Sequence, residues 1–267
     1  MSIITISRGS YSYGKEVAER LAQALGYECI SREIILEASE EFNIPEFKLF
    51  HALQDSPSVF ERFTYGKENY IAYIRAALLR HMQKDNIVYH GLAGHFFLEG
   101  IAHVLKVRII ADIEDRVKLV MKGENISAEK ARDFLKKVDG ERHKWSKYLY
   151  GIDTWNPNLY DIVLHKKNLN VEEMVNILLY TIKLPCFKTT PESQKNLDNL
   201  TLSALVQASI VKEFPTVKAY ANDGEVSVNI SAPPDEGKKI TAKVEDIVMK
   251  IPGVEKVKVN IVSSLPW

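Results

Sequence analysis

Gly9-Ser-Tyr-Ser-Tyr-Gly14-Lys15 has the spacing G-x-x-x-x-G-K, and its position in the chain narrows the fold sharply. It follows a short β-branched run, Ile3-Ile4-Thr5-Ile6, and precedes a pattern in which Val17, Leu21 and Leu25 recur at helical spacing. A buried strand entering a glycine-bearing loop and then a helix gathers backbone N–H groups and the positive end of a helix dipole around one point. That is the geometry of a phosphate cradle. Gly9, Ser10, Tyr11, Ser12, Tyr13, Gly14, Lys15 and Glu16 are the expected nucleotide contacts. Lys15 adds a mobile point charge that can follow a transferring phosphoryl group. The spacing alone is weak, and a glycine turn followed by a surface lysine is the bland alternative. Two features are irregular: Glu16 stands where Ser or Thr usually meets Mg²⁺, and Tyr11 and Tyr13 occupy positions where glycine wraps a phosphate more easily. Tyrosine fits if its side chain points outward.

The residues that follow alternate between strand and helix patterns. Gly26 ends the first helix, and Ser31 can cap a second with Ile34, Ile35 and Ala38 inward. Tyr70, Ile71, Ile74, Leu78 and Leu79 form the apolar stripe of a long helix. Ile87-Val88-Tyr89, Val104 to Ala111 and Asp161 to His165 read as strands. Helices are expected from Asp112, from Ser127, and over Val171 to Leu184. This alternation implies an α/β fold with a parallel sheet covered on both faces and right-handed crossovers. Pro185 to Asn196 is polar and carries two prolines, so 185–196 reads as a linker. Beyond it lies a helix (Leu202, Leu205, Val206, Ile210), then two alternating strands around the turn Asn222-Asp-Gly224. Another helix and a last strand, Val257 to Ile261, complete an α-β-β-α-β unit over 197–267. Each half has its own apolar faces, so a fragment of residues 1–190 is expected to fold alone.

The 35 basic residues balance the 35 acidic ones. No global field draws the chain to DNA, RNA or an acidic membrane, and any phosphate-binding charge must be local. Cys29 and Cys186 are too sparse for a disulfide framework or a zinc site, and free thiols in a reducing compartment are expected. No run approaches the ~20 apolar residues of a membrane span. Met1 to Ser7 lacks the features of a signal peptide, which places the chain in the cytoplasm as an expectation.

Several segments together resemble the cytidylate kinase-like family of P-loop nucleoside-monophosphate kinases. They are Ile6-Ser-Arg-Gly-Ser10 ahead of Gly14-Lys-Glu-Val-Ala18, then Ser31-Arg-Glu-Ile-Ile35 and Ile87-Val-Tyr-His-Gly-Leu-Ala-Gly94. Further on come Ala111-Asp-Ile-Glu-Asp-Arg116, Asp139-Gly-Glu-Arg142 with Tyr148, and Tyr160-Asp161. The resemblance spans residues 1–184. It implies a three-layer P-loop kinase fold with ATP and Mg²⁺ as cofactors and a CMP-like nucleoside monophosphate under the helices of residues 31–84. It also implies a lid over residues 123–150. The implied catalytic residues are Lys15, Arg116 and Arg142. The implied acceptor contacts are Ser31, Arg32, His90, Gly91 and Asp139, and no metal-ligating residue is singled out.

Each of these has a plainer alternative. Arg142 lies among Lys136, Lys137, Lys144 and Lys147, a charge run that suits a solvated helix face. Arg32 either binds phosphate or pairs with Glu33 or Glu37, Asp139 either orients the lid arginine or caps a turn, and His90 either touches substrate or packs in the core. Trp145 and Trp155 suit packing better than base stacking. The sequence departs from the family at His90-Gly91-Leu92, where an arginine usually helps hold the substrate. A weak grip on CMP is therefore expected, and Gly91→Arg is expected to improve it. The C-terminal unit resembles a BON domain through Asn222-Asp-Gly-Glu-Val226 and Ile251-Pro-Gly-Val-Glu-Lys-Val257. This implies a protein or ligand partner, and with it an alternative to catalysis: a nucleotide-binding regulator that signals through its C-terminal domain.

Overall fold

The computed structural model describes residues 2–31, 33–46, 49, 66–91, 94–233 and 236–262. Contacts among them divide the chain into two compact units.

The first unit is built on five parallel strands in the order β2-β3-β1-β4-β5: β1 (Ile3–Arg8), β2 (Glu28–Ile30), β3 (Ile87–His90), β4 (Val104–Ala111) and β5 (Ile162–Lys166). The central strand β1 pairs Ile4 with Val88 on one side and with Leu105 on the other. Side chains alternate between faces. Ile4 and Ile6 join Leu105, Val107, Ile109 and Leu164 in one core, covered by Val17 and Leu21 of α1 (Gly14–Leu25) and Met174 and Leu178 of α7 (Val171–Thr181). Thr5, Ser7 and Arg108 are thereby turned to the opposite face. The helices named in chain order between these are α2 (Glu33–Phe42), α3 (Gly66–Met82), α4 (Gly94–Phe97), α5 (Ile113–Glu124) and α6 (Ala128–Tyr150). Val117, Val120, Ala131 and Leu135 pack α5 on α6, whose start is capped where Ser127 accepts the Lys130 N–H at 3.4 Å. The parallel strands and their helices agree with the α/β expectation. The three-residue β2 and four-residue α4 were not expected, being too short to show a period.

The second unit holds α2 and α3 together with α8 (Pro191–Ile210), β6 (Lys218–Asn222), β7 (Glu225–Ser231), α9 (Gly237–Val248) and β8 (Lys256–Val262). Its sheet has the order β6-β7-β8, with β6 and β7 antiparallel and β8 parallel to β7. The hairpin turns at Asp223 (φ 51°) and Gly224 (φ 78°). Helix α3 is buried on every side through Ala72, Ile74, Ala76, Ala77, Leu78 and Leu79, and it packs on α8. Arg75 Nη1 donates to Gln207 Oε1 at 3.2 Å, and Phe42 of α2 stacks on Tyr73 with ring centroids 4.7 Å apart. Pro191 is the first residue of a 20-residue helix inside the segment read as a linker. Proline is well suited to that first position because the N–H it lacks would have no helical partner there.

Candidate functional site

The carboxyl ends of β1 and β4 lie side by side, and the loop after β1 is folded tightly against them. Ser12 Oγ donates to the Gly9 carbonyl at 2.8 Å, with the Ile109 carbonyl 3.3 Å away. Tyr11 and Tyr13 both adopt left-handed backbone angles, with φ of 55° and 65°. Their side chains are held away from the loop. Tyr11 OH donates to Glu124 Oε1 at 3.1 Å and its ring meets Phe134 edge-on, while Lys166 Nζ sits 4.8 Å from the Tyr13 ring centre. Gly14 is required by close approach: a Cβ there would lie 2.6 Å from Arg8 Cβ. Tyr13 caps α1 without any side-chain hydrogen bond. The Tyr13 side chain thus leaves the first N–H groups of a 12-residue helix uncapped, which suits them to an anion.

Arginines surround this helix start. Arg116 is 8% exposed; its Nε donates to the Ser10 carbonyl at 2.7 Å and its Nη1 pairs with Asp139 at 2.7 Å. Its Nη2 is buried without a partner, as are Arg8 Nε and Ser10 Oγ. Burial lowers the Arg142 pKa, Arg8 and Arg116 lower it further, and Asp139 opposes them. Burial likewise lowers the Arg8 pKa. Arg8, Arg116 and Arg142 thus line one cavity together with Asp139, which Arg116 already engages, and the mutual repulsion of the guanidiniums is what an anion relieves. Two cavities share Arg8 and Arg142. One, of about 560 Å³, lies over the loop among Tyr11, Tyr13, Lys15 and Phe134. The other, of about 260 Å³, is lined by Arg108, Arg116, Asp139, His143 and Trp155.

Loop residues 9–14, Arg116, Asp139 and Arg142 are thus brought together. Lys15 borders the first cavity with its side chain 64% exposed, 3.6 Å from Glu19. Glu16 is tied to Arg20 at 2.7 Å. Ser31, His90 and Gly91 line neither cavity. The Ser31 N–H donates to Glu33 Oε2 at 2.6 Å, and Arg32 lies outside the described residues. His90 is buried, and burial with Arg8 nearby pushes its pKa down to about 4, so it is neutral near pH 7. Gly91 cannot take the expected arginine as the chain stands, because a Cβ there would lie 2.5 Å from Tyr89 OH. The sequence reading did not single out Arg8, Arg108 or His143. Arg8 stood inside a quoted motif, and Arg108 shows, with Lys106, as a charge alternating with the apolar residues of its strand. Arg108 Nη1 donates to Tyr160 OH at 3.1 Å, and that hydroxyl donates to the Thr154 carbonyl at 3.1 Å. Among the described residues no group of three or more His, Cys, Asp or Glu side chains could hold a metal, and no helix is long and apolar enough to cross a membrane.

Residues 3–168 match the model of the cytidylate kinase-like family. A cytidylate kinase of Methanosarcina acetivorans is 33% identical over 105 residues, which is 38% of this chain and 57% of that protein, so the chain spans little more than half of that relative. A cytidylate kinase of Archaeoglobus fulgidus is 25% identical over 190 residues, covering 69% of this chain and 97% of that protein. Among solved structures, an uncharacterized protein from Eubacterium ventriosum has a TM-score of 0.52 at 18% identity, over 68% of this chain and 98% of that one, a likeness of fold.

Proposed function

The chain belongs to the cytidylate kinase-like family, and from that premise we propose that it transfers the terminal phosphoryl group of ATP to a nucleoside monophosphate, with a CMP-like acceptor as the finer reading. The observation that carries this is the cavity that Arg8, Arg116 and Arg142 line together beside the Gly9–Ser12 loop, where Asp139 is already engaged by Arg116. Phosphoryl transfer needs little covalent chemistry from the protein; it needs in-line positioning and cations where charge spreads over the equatorial oxygens. The loop N–H groups and Lys15 hold the donor phosphates. Arg142 and Arg8 face both cavities and meet the transferring group. Arg116 ties the loop to α6 and so holds the site in shape. Helices α5 and α6 form the lid that excludes water.

The unpartnered Arg116 Nη2, Arg8 Nε and Ser10 Oγ suit the phosphates of ATP. Mg²⁺ bound with ATP supplies charge neutralisation. Glu16 is engaged by Arg20, so the ion would draw most of its ligands from phosphate oxygens and water, its usual habit in such sites.

The test is transfer from labelled ATP to CMP, dCMP, UMP and AMP. Lys15→Ala should lower turnover roughly ten- to hundredfold, the worth of a charge-assisted hydrogen bond, without moving the unfolding midpoint. Unchanged ATP binding in that variant would sink the phosphate-loop reading. A second reading, a nucleotide-binding regulator, is favoured by one observation: α2 and α3 belong to the same compact unit as the C-terminal strands. On that reading the BON-like segment receives a protein or small ligand. ATP would bind, and no acceptor would be phosphorylated.

A further inference from the structure

Two cavities that share their cations are what a two-substrate transfer requires, and they differ in chemistry. The larger has the helix start and Lys15, which suits the donor's phosphate chain. The smaller lies on the sheet face that carries Ser7 and Arg108, opposite α1, and its rim is aromatic.

That rim is Trp155. Its side chain is 62% exposed, so it is not a core residue. His143 stacks on it, with centroids 4.4 Å apart and planes 27° from parallel. Asp153 holds the Trp155 backbone, whose N–H donates to Asp153 Oδ1 at 2.8 Å; His143 Nδ1 lies 3.3 Å from the same oxygen without a hydrogen bond to it. A held, solvent-facing indole beside half-buried guanidiniums suits a ligand that is flat at one end and anionic at the other. At about 260 Å³ the cavity lies just below the usual range of ligand sites, ~300–1,000 Å³, and is open on the Trp155 side.

We propose that Trp155, backed by His143, is the platform on which the base of the acceptor nucleoside monophosphate stacks, its phosphate directed to Arg8 and Arg142 where the two cavities meet. This rests on the phosphotransferase reading above and moves the acceptor's base away from the helices of residues 31–84. Stacking on an aromatic side chain is tolerant of base identity, so this platform holds any base, and choice among bases falls to polar groups elsewhere.

The experiment compares the parent, Trp155→Ala and Trp155→Phe by steady-state kinetics and by equilibrium dialysis with CMP, UMP and ribose 5-phosphate. Trp155→Ala should raise Kd and KM for the nucleoside monophosphates roughly ten- to hundredfold. It should leave the KM for ATP, the weak binding of ribose 5-phosphate and the unfolding midpoint unchanged. Trp155→Phe should stay within about threefold of the parent, because it keeps a ring to stack on. Normal acceptor affinity in an active Trp155→Ala enzyme overturns the platform and leaves the kinase reading standing. A rise in KM for ATP alone gives the base to the donor and also overturns it. A parent that binds no nucleoside monophosphate removes both readings together.

Discussion

Arg116, from α5, and Lys15 are both cations beside the phosphate loop, and they differ in what they leave behind when removed. Arg116→Ala strands the Asp139 carboxylate and the Ser10 carbonyl in a buried setting. Removing one partner of a buried pair costs about 3–5 kcal/mol, so urea unfolding should show a large loss of stability; Arg116→Lys should not restore it, since a single ammonium cannot reproduce the fork. A variant as stable as the parent but inactive would show that Arg116 acts on phosphate alone and does not hold the loop to α6. His90 and His95 give a second prediction. Burial takes His90 to about 4 and His95 to about 3, with Arg8 adding to the first and Arg108 to the second. Both folded values lie below the ordinary 6.5, so the unfolded chain binds protons first as pH falls. Their contribution is intact above pH 6.5 and is lost progressively down to about 4, by about 3 kcal/mol for each histidine. Unfolding midpoints measured from pH 7.5 to 4 should fall through this window, and His90→Gln should flatten the curve. At this scale the loop was legible because a strand, a spacing and a helix pattern coincide within residues 3–25. Arg8 was not singled out, and Trp155 was read as packing although it is 62% exposed, because neither a charge at a strand end nor an aromatic in a loop belongs to any period.

Elements were legible where their own pattern and caps are local in sequence, whatever they pair with. The strand Val104–Ala111 was read with its observed bounds, and Ser127 and Gly26 cap the helices they were expected to cap. The stripe expected on α3 proved to be burial on every side. Its cover includes α8, more than a hundred residues later, which no window on the sequence can see. The turn after β3 bears on one expectation, that Gly91→Arg improves the grip on CMP. A side chain at Gly91 meets the buried Tyr89 ring and hydroxyl within 2.8 Å, and such overpacking costs about 1–3 kcal/mol. Gly91→Arg should therefore lower the thermal midpoint and give no improvement in the KM for CMP. An unchanged midpoint with better CMP use would mean that Tyr89 yields, and the original expectation would stand.

For the whole chain, the compact units cut across the order of the sequence. Cutting after residue 190 removes α8 and uncovers the faces of α3 that pack on it. At about 25 cal/mol per Å² of apolar surface, losing one helix–helix face is comparable to the few kcal/mol that separate a folded domain from an unfolded one. The 1–190 fragment should consequently be poorly soluble or lack a cooperative heat transition, in contrast to the independence that the proline-rich segment suggested. A soluble fragment that melts sharply and binds ATP would show that α3 finds other cover.

The same packing sets a timetable for the growing chain. Met82 leaves the ribosome long before Pro191 is made, and at ~5–20 residues per second the interval is about 5–20 s. Through that interval α3 has been synthesised but α8, which covers one of its apolar faces, has not. Nascent chains stalled between residues 90 and 190 should be the ones that chaperones hold, and release should coincide with the emergence of α8.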